Sequence, residues 1–225
     1  AHMNNLFVFV RNSAAFWGGA IVICSLGIPN GAAAQGADVV QQLATADVVI
    51  LGEVHDNPAH HQMQADILTS LAPKAVVWEM ITQTQADGLA SISLSYADRV
   101  STHLDWATSG WPDFGLYAPV FAAAKGARQF GGLVPRSSAK SVMDQGAADF
   151  FGTEASVFGL DVPLPVEEQQ AREADQLANH CNALPVEMLP LMVEFQRLRD
   201  TVLANAVVRA LQESGGPVVV ITGNG

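Results

Sequence analysis

Four short apolar runs, each bounded by turn formers, punctuate the chain: Asp47–Leu51, Ala75–Trp78, Arg128–Val134 and Pro217–Thr222. In "DVVILGE", "AVVWEM" and "PVVVITG" the apolar residues fall on both parities, as in strands covered on both faces. The Arg128–Val134 run is the least regular of the four. Between the runs the hydrophobic spacing turns helical. Pro58 suits a first helical turn, and "AHHQMQADILTSLA" then runs to Pro73 with apolar residues at Met63, Ile67, Leu68 and Leu71. "TQTQADGLASISLSYADRV" and "YAPVFAAAKG" continue the alternation. From Val166 to Glu213 the pattern is almost wholly helical, interrupted at Pro185 and Pro190. The expected fold is α/β: a mostly parallel sheet flanked by helices, with a helical insertion before the last strand. One domain over residues 35–225 is the simplest organisation.

The two ends read differently. Ala1 and His2 precede Met3 as a cloning remnant. A short polar start with Arg11, the apolar stretch "AAFWGGAIVICSLGI" and small residues at Ala32 and Ala34 then follow the order of a secretory signal, so residues 1–34 are expected to be removed before Gln35. That places the protein in the periplasm or cell envelope. Membrane contact is expected only if the N-terminus is retained or lipidated at Cys24, and Ile23 is a poor residue to precede a lipidated cysteine. At the other end "TGNG" follows the best buried strand directly, and an α/β sheet seldom stops on a glycine turn. The protein is expected to continue past Gly225.

Charge narrows the partners. With 22 acidic and 11 basic residues the net charge is −11, which repels phosphate backbones and argues against nucleic acid. After the leader Cys181 is the one cysteine left, so no intrachain disulfide is available and the core must hold the fold.

Candidate chemistry lies at the strand ends, where open parallel sheets bind ligands. Gly52-Glu53-x-His55, Glu79-Met80 and Gly223-Asn224-Gly225 would share one edge. Glu53 and His55, two apart on extended backbone, would point the same way, which suits a metal site or a general base with its orienting partner. The plainer alternatives are a polar loop leading into a solvated helix and, for Glu79, a cap or ion pair. His60 and His61 project about 100° apart on a helix, so one is expected to face the edge, with His61 preferred, and the other to face water. In "WATSGWPDFGLYAPVF", Trp106, Trp111, Phe114, Tyr117 and Phe121 are either core packing or a surface for a planar ligand, with Tyr117 offering a phenolate. His180 and Cys181 are either a helix end or a soft ligand pair.

Taken in order, "LGEVHDNPAHHQMQ", "VVWEM", "WPDFGLYAPVFAAA", "NHCNALPVEMLPLMVEFQRLRDTVLA" and "GPVVVITGNG" resemble the ChaN-like haem-binding uptake proteins, of a superfamily with Tiki and TraB proteins that is related to erythromycin esterases. The resemblance runs from Ala46 to Gly225. It implies an envelope protein for haem and iron uptake or handling, with haems held face to face between the subunits of a homodimer. It also implies that Gly52, Glu53, His55 and Glu79 descend from a metallohydrolase-like edge, whose second Gly-x-x-His would be completed by a residue after Gly225.

Haem is therefore the expected cofactor, with Tyr117 or His180 on iron, Trp111 against the porphyrin, and Arg199 or Arg136 for the propionates. The alternative is a metal-dependent esterase or peptidase in which Glu53, His55, Glu79 and His61 hold a divalent ion and Glu53, His55 and Glu79 do the catalytic work.

Overall fold

The computed structural model of the protein describes residues 8–11 and 42–224. The expected leader, including Cys24, lies outside the described residues apart from Val8–Arg11. The chain divides into two compact units: Leu133–Asn205, and the remainder, Ala1–Gly132 with Ala206–Gly225.

The larger unit holds the sheet. Its strands are β1 (Val8–Arg11), β2 (Val48–Glu53), β3 (Ala75–Trp78), β4 (Arg128–Gly131) and β5 (Val218–Gly223). They lie in the order β1-β2-β5-β3-β4. β2, β5, β3 and β4 are parallel, as the double-sided apolar runs require, and β1 is antiparallel at the edge beside β2. The last strand thus inserts between the first two long apolar runs, with Glu53 opposite Gly223 and Trp78 opposite Ile221. This register brings the carboxyl ends of β2, β3 and β5 to one edge.

Both parities are buried. Val49, Leu51, Val76, Trp78, Val219 and Ile221 join one core, while Val77, Val218 and Val220 are equally enclosed. The first core is closed by helix α1 (Pro58–Leu71), through Ile67 and Leu68, and by a later helix carrying Val120 and Phe121. The sequence between them is less helical than its spacing suggests. Helix α2 (Gln83–Gly88) gives way to a 3-10 turn at Leu89–Ser91, and helix α3 (Ala97–His103) begins only after an extended residue at Ile92. Serines at 91, 93 and 95 offer local backbone hydrogen bonds, and the Ser91 hydroxyl donates one to the Gly88 carbonyl, breaking the run. Helices α4 (Trp106–Ser109) and α5 (Phe114–Ala123) complete this unit's cover.

The smaller unit is helical. It contains α6 (Ala139–Gln145), α7 (Ala147–Phe151), α8 (Val166–Asn179) and the first part of α9 (Leu189–Ser214). Its core is small: Val134, Val142, Ala147, Ala155, Leu160 and Leu198. Polar ties supplement it. Glu194 accepts the amide of Ala147 at the start of α7 at 2.7 Å, and Arg197 donates to the carbonyls of Gly159 and Val162, each at 2.8 Å. No helix among the described residues is long and apolar enough to cross a membrane.

Gly131 ends β4 where the backbone at Thr82 and Gln83 passes too close for a side chain, and a Cβ would collide with the Thr82 carbonyl. Gly131→Ala is therefore expected to cost about 1–3 kcal/mol, the usual range for overpacking. Urea unfolding measures it, and an unchanged midpoint would show that the contact relaxes freely.

Candidate functional site

Glu53 is the last residue of β2 and is 1 % exposed. A carboxylate buried so deeply needs several donors. It has them. Oε1 accepts the Tyr117 hydroxyl at 2.6 Å and meets His55 Nδ1 at 2.8 Å. Oε2 accepts Gln64 Nε2 at 2.8 Å and lies 3.6 Å from His61 Nδ1. Burial, the largest influence, pushes Glu53 up. Hydrogen bonds from His55, Tyr117 and Gln64, with His61 nearby, outweigh it and hold the carboxyl below its ordinary range.

The ionised carboxylate dictates the tautomers around it. It can only accept, so His55 must carry a proton on Nδ1. His61 Nε2 lies 2.9 Å from the His55 carbonyl, which also can only accept, so His61 donates there. His60 shows the reverse pattern, since its Nδ1 accepts the Val54 amide at 2.9 Å. Burial, then the neighbouring His61, holds His60 below its usual value despite the pull of Glu53, in keeping with a neutral acceptor. Both adjacent histidines are thus buried, and neither faces water. The expectation that one is solvated is corrected here. Their diverging directions serve two separate partners, the loop amide and the strand-end cluster.

Local sequence explains the placement. Asn57 caps α1 by accepting the Ala59 amide, and Pro58 suits the first turn. The buried stripe of α1 is His60, His61, Gln64, Ala65, Ile67 and Leu68. Its first two turns are polar because they face Glu53, and its last turns are apolar because they face the sheet. Gln64 was not anticipated as a site residue. Its signal is there, three and four positions after the histidines on the same helical face.

The aromatic segment is mainly core. Trp106, Tyr117 and Phe121 are buried, whereas Trp111 and Phe114 are only partly so. Tyr117 packs its ring 4.3 Å from His61 and 4.8 Å from Trp106. Burial, then the charge of Glu53, pushes its phenol well up, so it stays protonated as the donor to Glu53. Serving as a phenolate ligand would require giving up that bond. Trp111 is the aromatic that reaches the edge: its ring lies 4.8 Å from His55, and its Nε1 donates to the Met80 carbonyl at 3.0 Å.

Glu79 follows β3 and ties the end of β5, since its Oε2 accepts the Thr222 hydroxyl at 2.8 Å and the Gly223 amide at 2.6 Å. Gly223 also runs beside His55, and a Cβ there would stand 2.9 Å from His55 Nε2. The edge therefore brings Glu53, His55, His61, Glu79, Tyr117 and Trp111 into one neighbourhood. Among the described residues, no three His, Cys, Asp or Glu side chains converge as a metal-ligand set. His180, Arg136 and Arg199 belong to the smaller unit, where His180 is exposed and its Nδ1 lies 2.8 Å from the Gln176 carbonyl.

Residues 39–225 match the sequence profile of the family described as haem-binding uptake, Tiki superfamily, ChaN. The chain belongs to this family. A solved structure described as cofacial heme binding to ChaN of Campylobacter jejuni is similar to it, with a TM-score of 0.61 and 17% identity over 97% of this chain and 80% of that one. At that identity the likeness is one of fold, and it agrees with the α/β architecture described above. No curated protein matches the chain at a significant level.

The lowered values of Glu53 and His60 act on stability with one sign. The unfolded chain takes up protons first, so stability is full at high pH and declines on acidification, starting below 6.5 for His60 and below 4.5 for Glu53. Urea unfolding across that interval should follow this two-stage fall. Glu53→Gln should remove the lower stage, and its persistence unchanged would contradict the assignment. At neutral pH, Tyr117→Phe should cost about 1–3 kcal/mol by unsatisfying a buried charge, read from the same denaturation curves.

Proposed function

We propose that this chain binds haem at the carboxyl edge of its sheet and serves haem uptake or handling in the bacterial envelope. The observation that carries the proposal is membership of the haem-binding uptake family over residues 39–225. The edge itself has the chemistry such a ligand needs. Haem requires apolar or aromatic surface against its plane and a nitrogen, oxygen or sulfur donor for its iron. Trp111, half buried, offers the first. His55, with a third of its side chain exposed, carries donor nitrogen at the same place. When bound, haem would supply an iron centre able to take a protein donor. The residues below the edge keep this surface in position: Tyr117 and Gln64 hold Glu53, and Glu53 holds His55.

Location in the periplasm or envelope, a cleaved leader and a homodimer on haem binding are parts of this proposal. They draw on the leader-like order of residues 1–34 and on the family's description. The Campylobacter jejuni protein's cofacial haems suggest the dimer, because stacked haems are readily shared between two copies.

A hydrolase reading would use Glu53 and His55 as a general-base pair, and the same edge would then hold a divalent ion. One experiment separates the two. Haem titration is expected to give a saturable Soret change, with the mass from light scattering moving towards a dimer. No saturable change, together with a divalent metal retained through dialysis, would favour the hydrolase.

A further inference from the structure

We infer that a cleft at the amino end of β4 is a second ligand site, shaped for a small amide that carries a carboxylate and an apolar side chain, as an N-acylated leucine does. It lies at the opposite end of the sheet from the carboxyl edge, and it does not depend on the haem reading.

The cleft has a volume of about 480 Å³, within the usual range for small-molecule sites. One wall is the start of β4 with the turn before it, and the other is the end of α2 with the segment that follows, as far as Leu94. Main-chain geometry supplies the first polar feature. β4 is an edge strand, paired with β3 on one side only. The amides of Arg128 and Gly132 point to that side, donating to the carbonyls of Lys74 at 2.9 Å and Trp78 at 2.8 Å. Alternation along the ladder turns the N–H and C=O groups of Gln129 and Gly131 the other way. Gly131 is answered by Gln83, whose Oε1 accepts its amide at 3.2 Å. Gln129, 8 % exposed, lines the cleft. Its side chain is engaged elsewhere, since Oε1 accepts Trp78 Nε1 at 2.7 Å and Nε2 donates to the Ala127 carbonyl at 2.7 Å. Among the described residues nothing pairs with its main-chain N–H or C=O. A donor and an acceptor side by side on a strand edge match one secondary amide, the unit by which an extended chain adds to a sheet. Because Gln129 alone is open on this edge, the match is to a single amide rather than to a long peptide.

Charge and apolar surface choose what flanks that amide. Arg128 is paired with Glu213, and Asp87 accepts Gln83 Nε2 at 2.7 Å, so both charges at the cleft are engaged. Lys125 differs: no carboxylate among the described residues reaches it. In a chain of net charge −11, a cation without an ion-pair partner favours an anion at its end of the cleft. Leu89, Ile92 and Leu94 line the facing wall and suit an apolar side chain.

The test is backbone nitrogen-15 NMR of the full chain titrated with N-acetyl-leucine, each variant first checked for native circular dichroism. The Gln129 amide proton should move downfield and saturate. N-acetyl-leucinamide, which lacks the charge, should bind the wild type about 2–5-fold more weakly, and Lys125→Ala should weaken N-acetyl-leucine by the same factor, the usual strength of an exposed ion pair. Isocaproate, which keeps the charge and the apolar end but lacks the amide, should also bind more weakly. Ala90→Trp, at an exposed position that lines the cleft, should fill it and abolish the shift. No saturable shift at Gln129 in the wild type, or a shift unchanged in Ala90→Trp, would overturn the site. Equal binding of N-acetyl-leucine, its amide and isocaproate would overturn the ligand class. Hemin binding is untouched by any of these outcomes.

Discussion

Everything at the strand edge depends on one buried charge. Glu53 sits at the end of a central parallel strand with almost no exposure, a position that is tolerable only if its oxygens are satisfied by the protein. Three separate elements answer: the loop after β2 through His55, α1 through Gln64, and α5 through Tyr117. Each donor comes from a different part of the chain, so the carboxylate fastens the helices to the sheet edge while it sets the histidine tautomers. Fold and chemistry share the same hydrogen bonds here. The lowered range of Glu53 follows from them, and so does the protonated state of Tyr117.

Much of the frame was legible in the sequence. The double-sided apolar runs located β2, β3 and β5 to within a residue or two, since strands buried on both faces leave few alternatives. The helices before the last strand were equally clear from a helical spacing interrupted only around Pro185 and Pro190. Where local chemistry competes with periodicity, reading was poorer: the serines between Leu89 and Tyr96 break a stretch whose hydrophobic spacing is helical. The edge strand β1 was hidden because Val8–Arg11 sits in a segment with the composition of a leader.

The site followed the same division. Glu53, His55 and Glu79 were recognisable because a polar residue ending an apolar strand is conspicuous and parallel topology brings such ends together. Their division of labour was not. Glu53 and Glu79 look alike in sequence, yet one collects four side-chain neighbours around a buried charge and the other ties the amide of Gly223. Helical projection correctly separated His60 from His61, but it said nothing about the Val54 amide that gives His60 a buried partner. For Tyr117 both core packing and a ligand role stayed open, because aromatic clustering does not reveal which ring ends against a carboxylate.

The most direct test of Glu53's organising role is nitrogen-15 NMR of the histidine side chains at neutral pH. His55 should show a protonated Nδ1, and His61 a protonated Nε2. A His55 ring protonated on Nε2, with Nδ1 bare, would contradict it, because an ionised Glu53 could not then be its acceptor.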